Sequence, residues 1–303
     1  MSNLANGVEQ ACEVSEGCEA LDKLLQPKDR DLGGFSVRRL LPTRGKRMLG
    51  PWVFLDHMGP ASFDPGEGIN VAPHPHIGIA TVTYLFEGEI LHRDSLGNTQ
   101  TIHPGDINLM VAGSGIAHSE RERPEVTAIP HRLHGLQLWL ALPQDKEEMS
   151  PEFYHYSDEE IPAVSLDGIS IRVMMGHAFG ISSPVKTFSE TLYAEAYLQS
   201  GDTLTLPDAE DIGVYVAHGA LKVRDTLIPE HSMAVFASPQ GVQMTALETS
   251  RIAILGGDRL SPRHMEWNFV SSRKERIVQA KQDWQSGNFA RVIGDEKDYI
   301  PLP

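Results

Sequence analysis

The stretch VAPHPHIGIATVTYLFEGE, residues 71–89, joins two histidines to a run of β-branched and aromatic residues. Such a run is typical of a β-strand, where residues two apart point to the same face. His74 and His76 would therefore point the same way. Pro75 between them has no backbone N–H to donate, so we expect the pair at a strand start or edge. By itself the pair is weak evidence for a site, because the chain has 13 histidines.

A second same-face pair occurs in GSGIAHSERE, residues 113–122. His118 and Glu120 are two apart, and Gly113 and Gly115 permit a tight turn just before them. If the two stretches are neighbouring strands of one barrel, three imidazoles and one carboxylate meet at one point. That ligand set suits a divalent metal, with Fe, Mn, Ni, Cu and Zn all open. The alternative is that these histidines are turn or surface residues with hydrogen bonds of their own.

From Phe35 onward the chain consists of short apolar runs bounded by Gly, Pro, Asn and Asp, which is typical of an all-β protein. A polar link at 143–162 divides this pattern into two halves, and each half contains a Gly-Asp turn, PGDINL or SGDTLTL. We therefore predict two similar β-barrels. The predicted units are a flexible tail at 1–33, a first barrel at 34–143, a second barrel at 144–259 and a helical extension at 260–303.

One helix is predicted near the C-terminus, within SSRKERIVQAKQDWQSGNF. Ile277, Ala280 and Trp284 have helical spacing, and Gly287 is a suitable C-terminal stop. Ser272 with Glu275 three residues later predicts a capping box. We expect this helix to pack on a barrel.

The composition restricts location and partners. Lys and Arg total 26 against 41 Asp and Glu, a formal net charge of −15, so binding to nucleic acid is not expected. Two cysteines, Cys12 and Cys18, imply no disulfide framework. With no signal-peptide pattern and no apolar run long enough to span a membrane, a soluble cytoplasmic protein is expected.

Several motifs together resemble the pirin family of the cupin superfamily. GINVAPHPHIGIATVTYLFEG is similar to the first cupin motif, but Ala80 and Thr81 stand where many cupins have a glutamate ligand. HPGDINLMVAGSGIAHSE resembles the second pirin motif, where His118 and Glu120 occupy the ligand positions. LDHMGP, LHGLQLWLALP and RHMEWNFVSSRKERIVQAKQDW also look like pirin signatures, so the resemblance extends over residues 33–290.

The resemblance implies a bicupin fold with a metal in the first barrel only, usually iron. Its implied ligands are His74, His76, His118 and Glu120. The second barrel carries isolated histidines, in keeping with a metal-free barrel: His177, His218 and His231. Known activities of the family include quercetin 2,3-dioxygenase, whereas other members are binding proteins or regulators.

The first hypothesis is a dioxygenase whose partners are a phenolic substrate such as a flavonol and dioxygen. Glu120 would be both a metal ligand and the general base for the substrate hydroxyl. His57 and His134 would orient ligands, with structural histidines bonded to the backbone as the alternative. Four residues are candidates for the pocket wall, with ordinary barrel core as the alternative: Phe54, Leu109, Val111 and Leu136. No role is assigned to His92, His103 or His131.

The second hypothesis is a metal-dependent, redox-sensing regulator that acts through a protein partner, since an acidic surface could dock a basic protein. A third is a metal-free barrel that binds a small molecule.

Overall fold

The computed structural model describes residues 21–31, 35–237 and 240–303, and within these ranges most of the chain lies in antiparallel strands. Cys12 and Cys18 lie outside the described residues. The first twelve strands are β1 (Leu21–Leu25), β2 (Lys28–Asp31), β3 (Ser36–Leu41), β4 (Trp52–Phe63), β5 (Asn70–His76), β6 (Ile79–Glu87), β7 (Ile90–Asp94), β8 (Thr99–Ile102), β9 (Ile107–Val111), β10 (Ile116–Arg121), β11 (His131–Ala141) and β12 (Glu152–Tyr156). The others are β13 (Ala163–Leu166), β14 (Ile169–Met175), β15 (His177–Ala178), β16 (Ile181–Ser182), β17 (Thr191–Leu198), β18 (Thr203–Thr205), β19 (Asp211–His218), β20 (Leu221–Val223), β21 (Thr226–Ile228), β22 (Met233–Phe236), β23 (Gln243–Ala246), β24 (Ser250–Gly257), β25 (His264–Glu266) and β26 (Phe269–Ser271). The helices are α1 (Pro124–Thr127) and α2 (Lys274–Gln285), with a 3-10 turn at Asp158–Glu160.

Two barrels account for most of these strands. The first pairs a seven-stranded sheet, in the order β12-β9-β6-β11-β4-β3-β2, with a four-stranded sheet in the order β5-β10-β7-β8. The second pairs a seven-stranded sheet, in the order β1-β22-β19-β24-β17-β14-β13, with a four-stranded sheet in the order β18-β23-β20-β21. The prediction of an all-β fold with two barrels and a C-terminal helix is confirmed.

The large sheet of the first barrel is buried on both faces. Along β6, Val82 and Tyr84 belong to the core between the barrels, whereas the alternate residues Thr81 and Thr83 are buried polar residues that point the other way. The β-branched and aromatic run of the opening stretch is the consequence, because a strand covered on both sides needs large side chains on both faces.

The two large sheets pack face to face through one apolar core. It contains residues of both barrels, among them Trp52, Leu138, Tyr193 and Leu255. The buried indole of Trp52 donates to the carbonyl oxygens of Leu192 at 3.2 Å and Gly256 at 3.1 Å. This core makes the barrels one packed unit.

Two boundaries differ from the predicted ones. The predicted tail is wrong over residues 21–31, because β1 pairs with β22 of the second barrel and β2 pairs with β3 of the first. The predicted link at 143–162 contains β12, which pairs with β9 and so extends the first barrel. Polar strands at sheet edges look like loops in the sequence, because one face is exposed and few apolar residues mark them.

The C-terminal extension returns to the first barrel. Ile277 and Ala280 of α2 are buried in a cluster with Ile77 and Phe269, so the predicted packing on a barrel is confirmed. Gly287 follows the helix with φ +70°, as a C-terminal stop requires. The predicted capping box is wrong, because the side chain of Ser272 donates to Glu147 at 2.7 Å instead.

Candidate metal centre

Strands β5 and β10 bring three of the predicted residues together inside the first barrel. His74 pairs directly with His118 across the two strands, and His76 lies two residues along β5 on the same face. One ring nitrogen from each of the three histidines lies within 4.8 Å of the others, and all three side chains are buried. The same-face argument from the sequence therefore locates the histidine cluster.

Glycines shape the backbone next to these strands. Gly78 follows His76 with φ +69°, and a Cβ there would collide with the carbonyl oxygen of Val270. Gly113 precedes β10 with φ +50°, where a Cβ would collide with the carbonyl oxygen of Met149. Side-chain-bearing residues rarely adopt this conformation, so both turns depend on glycine.

The ring nitrogens of the cluster divide into two kinds. None of the three Nε2 atoms of His74, His76 and His118 has a hydrogen-bond partner within the described part of the chain, although all are buried. The opposite nitrogens are held: Nδ1 of His74 by the carbonyl of Ala72 at 2.9 Å, and Nδ1 of His76 by the carbonyl of Asn268 at 3.2 Å. Buried nitrogens without partners are costly, and a bound cation would relieve that cost. The donor set thus suits a divalent first-row metal.

Burial keeps these imidazoles neutral. It lowers the pKa of all three histidines well below the ordinary value, and for His74 and His118 the neighbouring histidines lower the pKa further. A neutral imidazole whose Nδ1 carries the proton leaves a lone pair on Nε2, which is the form that binds a metal.

Glu120 is buried on the same strand, but its carboxylate is not part of the histidine group. The pairing of β10 with β5 shifts register between His118 and Glu120, so that Glu120 lies opposite Val71. The extra residue of this bulge lies in β5, between Val71 and His74, whereas β10 keeps its alternation, so Glu120 stays on the same face of the strand as His118. The role of Glu120 as a fourth ligand stays a prediction.

The predicted pocket wall divides between two faces of the large sheet. Phe54 stacks on Trp139 with ring centroids 3.9 Å apart, and Trp139 meets the ring of His76 edge-on at 4.9 Å. The other three candidates belong to the core between the barrels: Leu109, Val111 and Leu136. For those three the alternative of ordinary core is correct.

His57 and His134 do not contact the cluster, so the prediction that they orient its ligands is wrong. Nε2 of His57 lies 2.6 Å from Nε2 of His134, and Nδ1 of His57 bonds the hydroxyl of Tyr215 in the second barrel. Both face the second barrel because His57 lies on the same face of β4 as Leu55, a residue of the inter-barrel core. Burial lowers the pKa of His57 to about 2 and that of His134 to about 4.

Among the described residues, the histidine group of the first barrel is the one metal-type group found, so the described part of the second barrel has no comparable cluster. Its histidines have separate hydrogen bonds: His177 with Ser182 at 2.8 Å and His218 with Glu230 at 2.8 Å. No helix of the described chain has the length and apolar character needed to cross a membrane.

Three residues next to the cluster were missed by the sequence reasoning. Nδ1 of His92 lies 3.4 Å from Nδ1 of His118, and Nε2 of His92 lies 3.2 Å from Oδ2 of Asp94. The signal was available, because His92 and Asp94 form a third same-face pair in ILHRD. Asn268, whose carbonyl holds His76, lies 192 residues away in the chain and left no such signal.

Comparisons with known proteins agree with this architecture. Residues 34–140 match the family model described as Pirin, and residues 193–290 match the Pirin C-terminal cupin domain. A pirin-like protein of Caulobacter vibrioides is 45% identical over 287 residues, covering 93% of this chain and 99% of its own.

Two crystal structures of quercetin 2,3-dioxygenase from Acinetobacter baumannii are also similar. One has a TM-score of 0.86 at 31% identity and covers 93% of this chain and 94% of its own. The other has a TM-score of 0.84 at 30% identity and covers 91% of this chain and 100% of its own. The chain belongs to the pirin family.

Proposed function

We propose that this protein is a metal-dependent dioxygenase that opens the heterocycle of quercetin or a related phenolic with dioxygen and releases carbon monoxide. The observation that carries the proposal is the set of three buried Nε2 atoms without hydrogen-bond partners in the described residues. The similarity to the Acinetobacter baumannii dioxygenases supports the choice of reaction and substrate class.

In this proposal His74, His76 and His118 bind the metal through Nε2, with Glu120 as a fourth ligand. Iron is the first expectation, and the nitrogen-rich donor set also accommodates Mn, Ni, Cu or Zn. A divalent ion bound there supplies a Lewis acid and a template for an enol-bearing substrate.

The remaining steps belong to side chains of the chain itself. Hydrogen bonds to Nδ1 fix the orientation of the His74 and His76 rings before any ligand arrives. The carboxylate of Glu120 takes the proton of the substrate hydroxyl. The stacked rings of Phe54 and Trp139 give an aromatic substrate an apolar wall beside His76 and exclude water there.

The test is turnover by protein loaded anaerobically with Fe²⁺. After quercetin and oxygen are added, the flavonol absorbance should fall, and one carbon monoxide should be released per quercetin consumed. His118→Ala should abolish both, whereas His103→Ala should not, since His103 is an exposed histidine of the same barrel.

The proposed reaction would be contradicted if the fully metal-loaded wild-type protein consumed neither quercetin nor any other phenolic tested in the same assay. Capture of a partner protein only in the metal-loaded state would then favour the regulatory alternative.

A further inference from the structure

The three histidines of the cluster are held by different chemistry at Nδ1. For His74 and His76 the partner is a neutral backbone carbonyl, of Ala72 and Asn268 respectively. For His118 the partner is a second imidazole, that of His92. The three histidines therefore differ in the group that contacts Nδ1, and His118 is the one whose Nδ1 contacts another side chain.

His92 and Asp94 lie on β7, the strand next to β10 on the side away from β5. Asp94 is directly opposite His118, and His92 is directly opposite Glu120, so all four side chains share one face of the sheet. Both residues of β7 are buried, and the His92 ring stacks on Phe153 with centroids 4.7 Å apart.

Asp94 is itself held firmly. One carboxylate oxygen accepts from the backbone N–H groups of Leu96 at 2.9 Å and Asn98 at 3.0 Å, and the other accepts from the Asn98 side chain at 2.9 Å and faces His92 at 3.2 Å. A carboxylate fixed in this way offers the His92 ring an acceptor in one position only.

These contacts determine where each proton lies. A carboxylate accepts hydrogen bonds, so Nε2 of His92 carries the proton and donates to Asp94. With that proton on Nε2, Nδ1 of His92 is an acceptor, and it receives the Nδ1–H of His118. His118 is left with a lone pair on Nε2, the atom that faces His74 and His76. The carboxylate thus selects the metal-binding tautomer of His118 through an intervening imidazole.

We propose that His92 is a positioning residue, backed by Asp94, that fixes the tautomer of His118 and strengthens it as an electron donor to the metal. The inference rests on the proposed metal site and adds to it two residues outside the family's ligand motif. A carboxylate behind a ligating histidine raises the basicity of that ligand. Of the three histidines, His118 should therefore be the strongest electron donor to the metal.

The first experiment measures metal affinity. Ni²⁺ is titrated against a competing chelator into wild-type protein, His92→Phe and His92→Gln. His92→Phe preserves the stacking on Phe153 but removes the acceptor, and should weaken Ni²⁺ binding by about 10- to 100-fold. Gln can accept from His118 and donate to Asp94, so His92→Gln should stay within a few-fold of wild type. His103→Phe, an exposed histidine of the same barrel, is the matched control and should not change affinity.

The second experiment measures the Fe³⁺/Fe²⁺ midpoint potential of the iron-loaded protein. Asp94→Asn keeps an oxygen for Leu96 and Asn98 but removes the charge. It should raise the potential, because a weaker His118 donor stabilises ferric iron less. A purely structural role for Asp94 would lower the unfolding midpoint and leave the potential unchanged.

The outcomes separate the two proposals. Wild-type affinity for Ni²⁺ in His92→Phe, together with an unchanged potential in Asp94→Asn, would overturn the positioning role. Wild-type affinity in His118→Ala would instead overturn the metal site on which it rests. Should His92→Phe fail to fold, the potential of Asp94→Asn still decides the matter.

Discussion

The two barrels have the same arrangement of one seven-stranded and one four-stranded sheet, yet they fill their interiors differently. The interior of the second is packed with aliphatic side chains, such as Ala194, Val214 and Ile254. The large sheet of the first turns polar residues inward instead, such as Asp56 and Gln137. An apolar interior needs nothing else to be stable, whereas a polar one must satisfy each of its groups. The same fold can therefore serve as a packed support or as a site.

The largest effect is expected from the buried ion pair of the first barrel. Both guanidinium nitrogens Nε and Nη2 of Arg39 lie 2.7 Å from the carboxylate of Asp56. Asp56→Ala should lower the free energy of unfolding by about 3–5 kcal/mol, since it removes the carboxylate that pairs with a buried guanidinium. The double variant Arg39→Met/Asp56→Leu should recover most of that loss in urea unfolding. If the double variant is as unstable as Asp56→Ala, the broken ion pair is not the cause of the lost stability.

The matching change in the second barrel is Ile254→Ala. Ile254 is fully buried between Ala194 and Val214. Its truncation should leave a cavity and lower the free energy of unfolding by about 2–5 kcal/mol. Urea unfolding measures the loss, with Leu227→Ala at an exposed site as the control within about 0.5 kcal/mol of wild type. Bound metal per chain should be the same as in wild type. Loss of metal in a variant that remains folded would contradict the division of roles between the barrels.

An intermediate effect is expected from the pH dependence of the contact between the barrels. The folded chain holds the pKa of His57 at about 2, against an ordinary value of 6.5, chiefly through burial. Above 6.5 the ring is neutral in both states. Below 6.5 the unfolded chain takes up a proton that the folded chain does not, so stability falls as pH falls toward 2.

The slope should be about 1.4 kcal/mol per pH unit for this histidine. His57→Gln should remove that share of the slope in unfolding curves measured from pH 7 to pH 4. His103→Gln, at an exposed position, should leave the slope as in wild type. An unchanged slope in His57→Gln would mean that His57 is protonated in the folded chain.

The smallest effect is expected at a single interior hydroxyl. Thr83 donates to the side-chain carbonyl of Gln137 at 3.0 Å inside the first barrel. Thr83→Val should cost about 1 kcal/mol, since it removes the bond but keeps the shape. Thr205→Val, on an exposed strand position of the second barrel, should be close to neutral. Equal losses of stability in Thr83→Val and Thr205→Val would contradict the difference between the two interiors.

Local pattern explains which predictions from sequence were correct. The alternation in VAPHPHIGIATVTYLFEGE and in IAHSER put His74, His76 and His118 on shared faces, and this depends only on strand geometry. The same rule applied to ILHRD would have found His92 and Asp94. The role of Glu120 stays a prediction. Local pattern missed the edge strands β1, β2 and β12, whose polar residues resemble a tail or a link.

By itself, the sequence determined that the chain is all-β, that it has two similar halves, and that His74 and His76 share one face of a strand. These follow from side-chain period and turn residues, which act over a few positions. The tertiary structure alone decided which histidines share a cluster and which face the second barrel. It placed the carbonyl of Asn268 behind His76 and turned His57 toward Tyr215. Such contacts join residues far apart in the chain, and only the packing of one sheet on another brings them within hydrogen-bond distance.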